Sequence, residues 1–170
     1  MTEPGGAAIM PHLPMSSLRA FLNGQFEALH LRSLKFLERL PEDKIFWKPR
    51  AEGFETYSAG ELLIRSAAAV EQTFGGITRR LWDDPFEWTL PEELSGRDAI
   101  RDYFIEVRKA RSDGFAFFRD DTELYRLIPA PEVLKPIIEI LLSTIDRAAH
   151  FEGRAQGAAQ QVLPIRPDFR

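Results

Sequence analysis

The chain has 170 residues, 44% apolar and 28% charged, with 22 basic against 26 acidic side chains and a formal charge of −4. That length suits one domain with a core of its own, no apolar run is long and charge-free enough to span a bilayer, and the acidic balance offers no broad positive field to nucleic acid. The chain has no cysteine, which excludes disulfides, thiolate nucleophiles and Cys-ligated zinc and fits a reducing cytoplasm.

Residues 1–15 are expected to be a flexible arm containing His12. Pro4, Gly5, Gly6, Pro11 and Pro14 interrupt it, and no basic residue precedes a long apolar core as in a secretory signal. Residues 16–170 are then a single domain. Ser16 is placed to cap helix one, whose buried stripe is Leu18, Leu22, Phe26, Leu29, Ser33, Phe36, Leu37 and Leu40. Pro41 stops it, because proline cannot continue the hydrogen-bond ladder. His30 lies one position off the stripe and reads as a boundary or surface histidine.

Residues 41–57 carry prolines and a glycine around Ile45, Phe46 and Trp47, the pattern of a long crossover loop pinned by its aromatics. Ser58 and Glu61 form a capping box, with Tyr57 and Leu62 placed as a hydrophobic staple, so helix two starts there. Leu63, Ser66, Ala67, Val70, Phe74, Ile77 and Leu81 make its stripe, which ends near Trp82-Asp83-Asp84-Pro85. Arg65 points away from that stripe towards a solvated flank.

An irregular segment holding Trp88 leads to helix three, with Ser95 and Asp98 as its expected cap. Its stripe is Ile100, Phe104, Val107, Arg111, Gly114 and Phe118, with Tyr103, Ala110 and Phe117 beside it. Arg111 is a charged misfit in mid-helix. Pro129, Pro131 and Pro136 punctuate the approach to helix four, which should begin near Pro136 after a separate turn. There the seam Leu134, Ile138, Leu141, Ile145, Ala148, Glu152, Ala155, Ala159 and Val162 alternates steps of four and three. Glu152 is its one carboxylate. Four helices, no strand-like alternation and no internal repeat predict an all-α four-helix bundle with a long crossover between helices one and two.

Four strings in order, LERLPEDKIFWKP, S-A-G-E-L-L-I-R, R-A-Q-G and LPIRP, resemble the DinB-like superfamily, the bundle fold shared with bacillithiol S-transferases and mycothiol-dependent maleylpyruvate isomerases. In its metal-binding members, one histidine follows the E-L-L-x stretch and two more stand one turn apart before the R-G-Q or R-A-Q string. The resemblance puts those ligand positions on Arg65, Ala149 and Gly153, none of which can hold a divalent ion. Sliding the register by one places His150 and Arg154 at the paired positions and still leaves the set incomplete. Asp146 and His150 are four apart but lie opposite the seam. The family's metal site is therefore expected to be absent, and no cofactor is expected.

A carboxylate buried without a partner costs several kcal/mol, so Glu152 must be paired, hydrated or protonated. Arg111 and Arg65 are the candidate partners of Glu152, with Gln156 one turn on as a hydrogen-bonding neighbour. The small residues Ala148, Ala149, Gly153, Ala155, Gly157, Ala158 and Ala159 fit close helix packing or a cleft for a small amphipathic ligand. The resemblance then implies a metal-free binding or assembly domain, as a homodimer. The competing expectation is a metal-dependent thiol S-transferase, and a DNA-binding stress protein is disfavoured by the acidic charge.

Overall fold

A computed structural model of the chain describes residues 17–48, 50, 53, 55–85, 94–161 and 163. The expected arm with His12, the Ser16 cap, Trp88, Val162 and most of the closing LPIRP string lie outside the described residues. The fold is all-α in its main elements: α1 (Leu18–Arg39), α2 (Ala59–Arg79), α3 (Arg97–Ala116) and α4 (Ile137–Gln160). Short 3-10 turns at Glu42–Lys44 and Asp121–Tyr125 and a hairpin of β1 (Leu127–Ala130) and β2 (Val133–Pro136) complete it.

The helix starts are satisfied in three ways. At α1, Ser17 accepts from the Ala20 amide at 3.2 Å, and Asp121 accepts from the Leu18 and Arg19 amides at 2.7 and 3.0 Å. Ser17, rather than Ser16, therefore holds the cap position. At α2 both arms of the Ser58–Glu61 capping box are present. At α3 the cap residue is Gly96, not Ser95, and Glu42 from the crossover accepts from the Arg97 amide at 3.0 Å. A carboxylate at a helix N-terminus also meets the positive end of the helix dipole.

α2 packs most extensively on α4 and next on α3, while α1 packs on α3 and α4. α1 and α2 touch sparsely and α3 and α4 hardly at all, so the ring order is α1–α3–α2–α4. The first connection thus crosses the ring. It is fastened by buried Ile45, whose carbonyl takes the Gly60 amide at 2.7 Å; a Cβ on Gly60 would stand 2.6 Å from the Ile45 side chain. Phe26, Phe74, Phe115 and Phe118 stack edge-on or tilted in the core at 5.3–6.0 Å. Truncating one such ring to alanine costs about 3–5 kcal/mol.

Three expectations are corrected. The three prolines do not exclude strands: β1 and β2 pair antiparallel from Leu127↔Pro136 to Ala130↔Val133. A two-stranded ribbon has two free edges, where proline's missing amide is tolerated. Leu134 consequently sits exposed in β2, and the buried face of α4 runs through Ile137, Leu141, Thr144, Ala148, Glu152, Ala155 and Ala159, with Ile138 and Ile145 only flanking it. In α3, Phe115 is buried and Phe117 exposed, and Leu81 is exposed beyond the end of α2.

Candidate functional site

Helix α1 carries polar side chains towards both of its neighbours. Towards α3, Glu27 meets Arg108 and Arg111: Arg111 donates through Nη2 to Glu27 Oε2 at 2.5 Å, and Arg108 donates through Nε to the same oxygen at 3.1 Å and through Nη2 to Oε1. The Arg111 side chain is 7% exposed, that of Glu27 26%. Partial burial pushes the Glu27 carboxyl up, but hydrogen bonds and charge from Arg108 and Arg111 more than reverse this and hold it below the usual range. One carboxylate faces two guanidiniums, so the cluster carries a net positive charge.

Arg111 has five N–H donors in its planar fork. Nη2 is engaged by Glu27, whereas Nε and Nη1 are buried and have no hydrogen-bond partner. A buried donor without an acceptor costs about 1–3 kcal/mol. Arg111 also lines a cavity of about 30 Å³ between α1, α2 and α3. Phe26, Leu29, Leu63, Val70, Phe104 and Val107 form its apolar wall, and His30, Ser33, Ser66 and Arg108 join Arg111 as its polar lining. That is room for about two waters. His30 is half-buried, edge-on to Phe104. Burial lowers its pKa, and the charges of Arg108 and Arg111 add to this against the opposing pull of Glu27, so the imidazole is neutral at pH 7.

Towards α4, Arg32 meets Glu152 through two hydrogen bonds, Nη2 to Oε2 at 2.9 Å and Nε to Oε1 at 3.3 Å. Glu152 is 3% exposed and the Arg32 side chain 40%. Burial raises the Glu152 pKa, and Arg32 offsets that only in part.

The expected Glu–Arg contact is therefore present, but its arginine is neither Arg111 nor Arg65. Arg111 stands on α3, across the ring from α4. Arg65 is on α2, next to α4, and its guanidinium lies over the Tyr57 ring at 4.7 Å from the centroid, with Arg154 at 5.6 Å. Gln156 is partly buried and its Oε1 has no hydrogen-bond partner. Of the positions that the resemblance sets against metal ligands, Arg65 and Ala149 are partly buried and Gly153 is exposed with open space around it. Asp146 and His150 are exposed. Among the described residues no group of three or more His, Cys, Asp or Glu side chains is arranged to hold a metal ion.

A wider, open cleft of about 330 Å³ lies between α2, α4 and the hairpin. Its polar groups serve one another. Thr144 donates to the Ile140 carbonyl at 2.8 Å, which makes Thr73 the donor in their 2.6 Å contact. Arg147 donates to Gln72 at 2.8 Å, Gln72 to the Trp82 carbonyl at 2.7 Å, and Lys135 pairs with Glu139 at 3.0 Å. Among the described residues lining it, none presents a buried donor without an acceptor, as Arg111 does.

Sequence reasoning singled out Arg111 and Glu152 and missed Glu27, Arg32 and Arg108. The available signal was positional: Glu27 and Arg32 flank the α1 stripe, and Arg108 stands one turn before Arg111. Comparison of the chain with protein-family models, curated proteins and solved structures gives no match in any of the three.

Proposed function

We propose that this chain is a small-molecule-binding protein built as a DinB-like four-helix bundle, in which ion pairs and cation–π contacts occupy the region where metal-binding members of that superfamily hold a divalent ion. The observation that carries the binding reading is Arg111, whose buried Nε and Nη1 have no acceptor and whose side chain lines the α1–α2–α3 cavity. The crossover from α1 to the diagonal helix α2 supports the DinB-like assignment, as does the Ser58–Glu61 box opening α2. The lack of cysteine supports a place in the cytoplasm, and no helix among the described residues is long and apolar enough to cross a membrane.

Thermal denaturation of the tag-free protein against small anionic, neutral and cationic compounds tests the reading, with elemental analysis on the same sample. Saturable stabilisation by one chemical class, abolished by filling the cavity with Ala67→Leu, is the expected result. Stoichiometric zinc or nickel, together with thiol transfer to an electrophile, would replace this reading with the metal-dependent S-transferase. A homodimeric assembly role is favoured by a separate observation: Leu127, Val133 and Leu134 leave an exposed apolar surface on the hairpin. Light scattering that gives a dimer for the parent chain and a monomer for Leu134→Ser would support it, and a parent monomer at high concentration would reject it.

A further inference from the structure

We infer that the cavity between α1, α2 and α3 is a site for the carboxylate head of a short-chain monocarboxylic acid, held by the buried guanidinium of Arg111. The inference rests on the small-molecule-binding reading above and adds the ligand's charge, size and polarity.

Charge comes first. Arg108 and Arg111 share the single carboxylate of Glu27, so the cluster retains one positive charge. His30 does not add a second, because burial and the two arginines favour its neutral form. A monoanion balances that charge, whereas a dianion would overshoot it in a partly dehydrated place. Hydrogen bonding comes next. Nε and Nη1 of Arg111 lie buried without partners, and three N–H bonds on those atoms call for an acceptor. A carboxylate supplies two oxygens with the planar geometry that guanidinium groups match. The rest of the wall then settles what the anion carries. Phe26, Leu63, Phe104 and Val107 give a methyl or ethyl group an apolar wall, while His30, Ser33 and Ser66 stand beside Arg111 and Arg108 as the polar lining. The free volume of about 30 Å³ admits the carboxylate head alone, so the short tail lies towards the open side of the cavity.

The test uses the full chain, purified without carboxylate buffers. Acetate, propionate and butyrate are titrated at constant ionic strength, following protein methyl and backbone resonances by NMR, beside acetamide, propionamide and chloride. Saturable shifts at Phe26, Leu63 and Val107 are expected for acetate and propionate, at least tenfold weaker for the amides and chloride. Arg111→Lys, which keeps the charge but changes the donor fork, and Ala67→Leu, which fills the space, should each weaken propionate binding tenfold or more. Arg147→Met, in the cleft beside the hairpin, should leave it unchanged. Equal binding of the amides or of chloride would overturn the carboxylate inference and leave the small-molecule-binding reading standing. Binding of none of the six compounds, with resonances that move only in proportion to concentration, overturns the carboxylate inference and leaves the small-molecule-binding reading to the thermal screen. Propionate binding insensitive to both Arg111→Lys and Ala67→Leu would place the ligand elsewhere and overturn the inference.

Discussion

In the Glu152–Arg32 pair the carboxylate is buried and the guanidinium reaches solvent; in the Glu27–Arg111 pair the guanidinium is buried and the carboxylate faces the surface. Both join α1 to a neighbouring helix at distances of 2.5–2.9 Å. The contrast shows that the cost of losing a pair depends on which partner is left behind. A side chain at the surface can exchange its partner for water, whereas one in the interior keeps its desolvation penalty with nothing to offset it. The two pairs also shift their carboxylates in opposite directions: Glu152 upwards, where burial outweighs Arg32, and Glu27 downwards, where two arginines outweigh partial burial.

The largest effect is expected from Arg32→Met, which strands Glu152 in the interior. A loss of about 3 kcal/mol is expected, at the low end of the ~3–5 kcal/mol for breaking a buried pair, because Arg32 itself is partly hydrated. Urea denaturation at pH 7 measures it. The double variant Arg32→Met, Glu152→Leu should recover most of the loss, and a double variant as unstable as the single would show that the pairing is not its cause. Glu27→Ala comes next, at about 2 kcal/mol, since it leaves Arg111 buried without its counter-charge although water can enter where Glu27 stood. If Glu27→Ala proves harmless while Arg32→Met does not, buried guanidinium and buried carboxylate differ in kind, and the symmetry drawn between the pairs fails.

The parts of this architecture legible in the sequence are the local ones. The α1 stripe ending at Pro41 and the Ser58–Glu61 box each depend on residues within a few turns of one another, and both are present. The caps from Asp121 to α1 and from Glu42 to α3 join residues 103 and 55 positions apart, which periodicity cannot connect. The hairpin was hidden because its prolines carry the signature of a loop. That Glu152 must be paired, hydrated or protonated followed from the cost of burying charge. Ring order excludes Arg111, on α3 opposite α4, and no single helix records that order; Arg65, on α2 beside α4, lies instead over the Tyr57 ring.

The smallest effects are expected where the buried member of each pair is removed. Glu152→Leu leaves Arg32 in contact with solvent, and Arg111→Met leaves Glu27 with Arg108, so each should fall within about 1 kcal/mol of the parent or gain stability. The pH dependence separates them. The folded-state pKa of Glu152 lies above its ordinary 4.5, so the native state binds the extra proton; its contribution is fully present below that value and is lost as pH rises through the raised pKa. Glu27 has the opposite sign: its contribution is present above 4.5 and is lost as pH falls through the lowered pKa. The stability of the parent minus that of Glu152→Leu should therefore decline as pH rises from 4 to 7, and the parent minus Glu27→Ala should grow as pH rises towards 4.5 and then level off. Two differences that run in parallel would mean that both carboxylates feel the same surroundings, and that the inversion of burial between the two pairs has no energetic consequence.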